Sequence, residues 1–348
     1  MNVRWPVLVL CLLAGSAHAQ GFAGLGTTAD GFAIPQRGTA LSFPRDHGPH
    51  PKYRIEWWYL TATLQGEDGR DYGIQWTLFR SSLAPRDGQG WETPQLWMAH
   101  AALTTPDAHY LDERLARGGI GQAGVSIAPF HAYIDNWEMQ GHEGSGISDL
   151  TLSASGPEFA YDLTLKAAGP LVLHGDGGYS VKSAAGQASY YYSQPHYEGR
   201  GTITLPEGEI AVSGLGWLDR EWSSQPLASD QTGWDWFSLS FDSGARMMGF
   251  RLRDDMSGYT SATWIAPDGN TSALPDGALK LTPLAASSVA GREVPTRWRV
   301  ELPARDLDVT VSALNPQSWM DTSFPYWEGP VTVSGSHMGR GYLEMTGY

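Results

Sequence analysis

"RIEWWYLTATLQGEDGRDYGIQWTLF", residues 54–79, alternates apolar and polar side chains, turns through GEDGRD (66–71), and alternates again. A period of two on both sides of a Gly/Asp-rich turn is the signature of a β-hairpin. From Leu41 onward the same period persists. LWMAHAALTT, FHAYIDNWEM, GISDLTLSAS, EFAYDLTLKA, GRGTITL and GEIAVSGLGWL follow, separated by Gly, Pro and Asp. Beyond residue 232 come WDWFSLSF, RMMGFRLRDD, YTSATWIAPDG, LKLTPLA, TRWRVELP, LDVTVSAL, GPVTVSGSH and RGYLEMTGY. Regularly spaced short strands with turn signals mean an all-β sandwich or barrel. The one segment with helical character is DERLARG, 112–118.

Comparable sets of strands lie before and after 205–232, and no Pro/Ser-rich linker divides them. Two sheets meeting across a packed interface are therefore expected. The chain is also longer than one core usually holds. The expected division is a leader over 20–40 and domains over 41–224 and 225–348. The leader has Gly, Thr and Pro without a period.

The first residues point to a compartment. MNVRWPVLVLCLLAGSAHAQ has one cation, Arg4, then an apolar run, then Ala17-His18-Ala19. This reads as a signal peptide over 1–19, cleaved near Ala19, and its apolar run is too short for a permanent membrane anchor. The expected location is exported, periplasmic or extracellular. Cys11, the sole cysteine, falls inside that signal, so the remaining chain has no disulfide or thiolate site. The net charge of -14 argues against nucleic acid and against anionic lipid headgroups as partners. Forty aromatic residues (15 Trp, 15 Tyr, 10 Phe) beside only 17% charged residues suit sheet cores or an apolar ligand cavity.

Carboxylates set among tryptophans are the candidate chemistry. In GWLDREW, strand parity puts Trp217, Asp219 and Glu221 on one face and Leu218, Arg220 and Trp222 on the other. Two carboxyls at i and i+2 lie about 6–7 Å apart and can divide into acid and base. The alternative is that both bond to backbone or to arginines across the interface. In GWDWFSL, Asp235 shares a face with Phe237 and Leu239, where desolvation would raise its pKa. Trp234 and Trp236 take the opposite face. A plain strand-start aspartate is the competing reading.

In RIEWWYL, Glu56 is expected in a structural ion pair with Arg54, Arg220 or Arg251, and Trp57 lies on the other face. Tyr190 and Tyr192 of SYYYS share a face and either line a cavity or fill a core. Asp46, His47 and His50 are only loosely spaced, and no metal is expected. A Gly-x-Ser-x-Gly elbow, a His-Glu-x-x-His pair, a phosphate loop and a dinucleotide fingerprint are all missing, so no cofactor is expected.

Several segments together resemble a known family. They are FPRDHGPHPKYRIEWWYLTATL, LWMAHAAL, SYYYS, SGLGWLDREWSSQ, GWDWFSLSFDSG and YWEGPVTVSGSHMGRGYLEMTGY. They resemble the AttH-like branch of the carotenoid 1,2-hydratase (hydroxyneurosporene synthase) family, from about Ser42 to Tyr348. That branch is also known as lipocalin-like predicted secreted hydrolases. The resemblance implies two tandem lipocalin-like antiparallel β-barrels packed against each other, with a ligand pocket near their junction. It also implies a reaction in which water adds to an isolated double bond without a redox cofactor. AttH-like proteins often accompany ABC-type permeases, which makes such a permease an expected partner.

Two functions follow as expectations. One is an exported protein binding an apolar small molecule or lipid, with Trp57, Tyr190, Tyr192, Trp217, Trp222, Trp234 and Trp236 as binding residues. The other is a hydratase or hydrolase using Asp219, Glu221 or Asp235 in acid–base catalysis.

Overall fold

The computed structural model describes residues 29–86 and 88–348, and its strands, 59% of the structure, form two antiparallel sheets. The expected signal segment lies outside the described residues. The opening hairpin is present: Ile55–Gly66 pairs with Asp71–Ser82 in continuous register from Ile55↔Ser81 to Gln65↔Asp71. Its turn is closed by bonds from Gly66 N to Arg70 O and from Gly69 N to Gly66 O, both 2.9 Å. Gly69 has φ 78°, a left-handed conformation that glycine adopts without strain.

Ile55–Gly66 lies near the middle of the first sheet. Asp71–Ser82 flanks it on one side and Gly208–Ser223 on the other. The second sheet is organised likewise around Gly233–Phe241, between Arg246–Arg253 and Gly339–Met345. One sheet closes into a nearly complete barrel and the other into a half-barrel, so the fold is all-β and lipocalin-like.

Alternation assigns the faces. Trp58, Leu60, Ala62 and Leu64 enter the first core with Tyr72, Ile74, Trp76 and Leu78. Phe237, Leu239 and Phe241 enter the second. The opposite faces meet each other. Tyr59, Tyr191 and Trp217 of the first sheet pack with Trp236, Met248, Phe250, Leu252 and Tyr342 of the second. The approach is close enough to require a glycine: a Cβ at Gly73 would lie 2.6 Å from both Pro330 Cγ and the Tyr342 hydroxyl.

Two sequence expectations change. The helical-looking DERLARG is instead the end of an edge strand, His109–Arg117, paired with Gln95–Thr104 from Leu96↔Arg117 to Thr104↔His109. Pairing with a neighbouring strand overrides a weak local preference for helix. FHAYIDNWEM is a hairpin and not one strand: Phe130–Ile134 and Trp137–Gly141 pair around Asp135, which has φ 52°.

Glu56 ties the hairpin to the neighbouring strand Gly208–Ser223. It is fully buried and bonds the Arg80 Nε, Arg220 Nη2 at 3.2 Å, and both the backbone N (2.7 Å) and Nδ1 (3.0 Å) of His50. Burial opposes its ionisation, but the charge of Arg80, the His50 bond and Arg220 outweigh burial and hold the carboxyl well below the usual range. Arg220 also stacks on Trp58, 3.8 Å from the ring centre. Removing one member of a buried ionic set strands the others without a partner. Glu56→Gln is therefore expected to cost about 3–5 kcal/mol in equilibrium denaturation; a loss below ~1 kcal/mol would refute this anchoring role.

Candidate active site

A cavity of about 210 Å³ lies between the sheets. Trp57, Phe79 and Met98 wall it from the first sheet, and Trp234, Trp236, Phe250 and Leu252 from the second. Its polar lining includes acids and hydroxyls, Asp219, Glu221, Glu344, Tyr59, Tyr191 and Tyr326, together with Lys182 and His100, and Glu56 and Arg80 border it.

Strand parity brings Asp219 and Glu221 to this face of Gly208–Ser223 and sends Arg220 to Glu56 behind it. Asp219 accepts three bonds: from Trp217 Nε1 (2.7 Å), from the Tyr191 hydroxyl (2.8 Å), and from the Ser193 hydroxyl. Burial nevertheless dominates, and the carboxyl is pushed up to about 7, with the three donors opposing the shift. Glu221 is differently placed. It bonds Lys182 Nζ at 2.7 Å and accepts from the Ser189 hydroxyl. The Lys182 ammonium lies over the rings of Phe250 (4.3 Å) and Tyr191 (4.8 Å).

The second sheet supplies two acids that the sequence reading did not weigh. Glu344 is half-buried, lines the cavity, and accepts from Trp234 Nε1 at 2.5 Å. Burial pushes it up to about 7; the Trp234 bond opposes the shift, while the negative charges of Asp219 and Glu221 add to it. Glu328 is directly across the strand pair from Glu344. The Tyr59 hydroxyl donates to its Oε1, and its Oε2 has no partner. Burial and the facing Glu344 hold Glu328 well above the carboxylate range. Like charges directly opposite on adjacent strands are unfavourable, so this pair does not carry two full charges.

Asp235 belongs to a different network. It is buried between Arg251 Nη2 (2.8 Å) and Arg253, accepts from the Tyr348 hydroxyl at 2.7 Å, and does not line the cavity. The expected desolvated proton donor is thus an ion-paired aspartate on the core face of its strand. Trp234 and Trp236, on the other face, do reach the cavity, as does Trp57.

Tyr190, Tyr192 and Trp222 do not reach it; they pack in the first core. Tyr192 bonds His47 Nδ1 at 2.7 Å, and Trp222 stacks on His50 with 3.9 Å between ring centres. The intervening Tyr191 is the tyrosine that faces the junction. Trp217 does not line the main cavity but packs in the junction and holds Asp219. Tyr191, Lys182, Glu328 and Glu344 were the missed residues. For the two glutamates a signal existed: single acids inside the apolar strands YWEG and YLEM.

An acid titrating near neutral pH in an apolar cavity can give or take a proton at little cost. It also leaves a mark on stability. The folded pKa of Asp219 is raised, so its contribution is fully present below about 3.8 and is lost as pH rises toward about 7. Relative to the Asp219→Asn variant, the wild type should lose stability across that window and hold a constant difference above it. Parallel denaturation curves at all pH values would show that Asp219 titrates normally.

Comparison with known proteins agrees with this architecture. Sequence comparison with curated proteins found no match. The crystal structure of an AttH-type protein from Nitrosomonas europaea is 32% identical, covers 91% of this chain and 100% of its own, and superposes with a TM-score of 0.81. Kievitone hydratase from Nectria haematococca shares the fold at 15% identity, with a TM-score of 0.67 over 91% of this chain and 98% of its own. The AttH-like family model matches residues 34–348. The chain belongs to the AttH-like family.

Proposed function

We propose that the chain takes an apolar, unsaturated small molecule into the junction cavity and adds water across its double bond, with Glu344 as proton donor. The observation that carries this reading is a carboxyl pushed up to about 7 that faces a cavity walled by tryptophan, phenylalanine and aliphatic side chains. A cavity serving storage alone has no need of acids held in that state. The structural neighbour named as a hydratase shares only a fold, and a fold does not dictate chemistry.

The step is as follows. Neutral Glu344 gives its proton to one alkene carbon as the π electrons form the new C–H bond. Positive charge is left on the other carbon, where the faces of Trp57, Trp234 and Trp236 stabilise it. A water oxygen bonds to that carbon, and the proton it sheds passes to ionised Asp219. Asp219 and Glu344 titrate in the same range and repel each other when both are charged, so the two hold one proton between them. Proton exchange with solvent then restores the starting state.

A second reading has its own support. Three donors already bond Asp219, and Lys182 pairs with Glu221. Acids so well satisfied also suit a carrier that binds an apolar molecule or lipid without changing it. The signal-like residues 1–19 favour an exported carrier, exchanging its ligand with a membrane transporter of the ABC type.

One experiment separates the two. The protein is incubated with a panel of terminal alkenes in 18O-labelled water, and the products are weighed by mass spectrometry. Label should enter an alcohol product, and Glu344→Gln should lower the rate by about 10²–10⁴-fold while ligand binding persists. Binding without label in the wild type would establish the carrier reading instead. Full turnover in Glu344→Gln would remove Glu344 from the mechanism.

A further inference from the structure

Strand register carries the cavity wall beyond the cavity itself. Trp57, Phe79, Met98 and Leu115 are successive cross-strand partners on four adjacent strands. Partners in an antiparallel pair lie on the same face of a sheet. The first three line the cavity. The fourth, on the edge strand His109–Arg117, lies outside it and is 61% exposed. Leu96, two residues from Met98 and so on the same face, is 39% exposed.

The opposite wall continues outward as well. Phe324 lines the cavity yet is 41% exposed. Its neighbour Ser323 donates to Glu113 Oε2 at 2.7 Å, which brings Phe324 to the edge strand two residues from Leu115. An apolar track therefore leaves the cavity over Met98 and Leu115, beside Phe324. From Trp57 to Leu115 it crosses three strand spacings, about 14 Å. Single exposed apolar residues need no explanation, but this row is in register with the cavity wall.

We propose that the ligand of this site is an elongated hydrocarbon chain and not a compact molecule, with its inner end at Glu344 and Asp219 and its remainder lying over Met98 and Leu115. The inner end is uncharged or polar without negative charge, because Asp219, Glu221 and Glu344 would repel a carboxylate and Lys182 is already bonded to Glu221. This inference rests on the cavity being a binding site for apolar ligands, as proposed above.

The test is a series of straight-chain primary alcohols, from hexanol to tetradecanol, titrated against the whole protein by its tryptophan fluorescence. Affinity should keep rising with chain length beyond what the cavity alone encloses. Leu115→Asp should weaken the longest alcohols by roughly tenfold or more and leave hexanol unchanged. Leu284→Asp, an exposed position on the far edge strand Lys280–Val289 of the second sheet, should alter neither. If no alcohol binds, the binding site itself fails. If hexanol binds but length brings no gain, or the gain survives Leu115→Asp, the track over Leu115 is wrong.

Discussion

Where the two sheets meet, their central strands have no face left for water. Ile55–Gly66 covers the first core with Trp58, Leu60, Ala62 and Leu64, and its other side is covered by the second sheet. Residues 216–223 of Gly208–Ser223, and Gly233–Phe241, are in the same position. Every polar side chain on such a strand must find a partner inside the protein or lose its charge. The buried acids and their unequal fates follow from that constraint.

Two solutions are visible side by side. Glu56 and Asp235 each meet two arginines. Glu56 is ionised in spite of complete burial. Asp219, Glu328 and Glu344 meet hydroxyl and indole donors and no guanidinium. Neutral donors offset less of the desolvation than a cation does, so these three carboxyls rise. Structural carboxylates thus sit beside cavity-lining tryptophans in the chain: Glu56 beside Trp57, and Asp235 between Trp234 and Trp236.

The arrangement also explains why the junction, and not a barrel interior, holds the cavity. Each sheet fills its own concave side with close-packed aromatic and aliphatic side chains. Where the convex faces meet, large rings from both sides cannot interdigitate everywhere, and the space left is lined by Trp57, Trp234 and Trp236. The AttH-like fold supplies this meeting of faces; the acids on the faces give the cavity its titratable groups.

Much of this was legible in the amino-acid order. Alternation alone determined the hairpin of 54–79, the all-β class, and the opposed faces of Asp219 and Arg220. It also separated Asp235 from the tryptophans on either side. It did not settle DERLARG, whose charged residues suit helix or strand alike until a neighbouring strand pairs with them. Parity sorts a strand into two faces, but it does not say which face meets its own core and which meets another sheet. For that reason Tyr190 and Tyr192 looked like cavity residues while Tyr191 was passed over, and Glu328 and Glu344 went unweighed. A carboxyl's pKa depends on what lies across the junction, and those neighbours are more than a hundred residues away in the chain. Only the packing of one sheet on the other brings Glu344 to Asp219, and only that packing removes the water that would have kept both ionised.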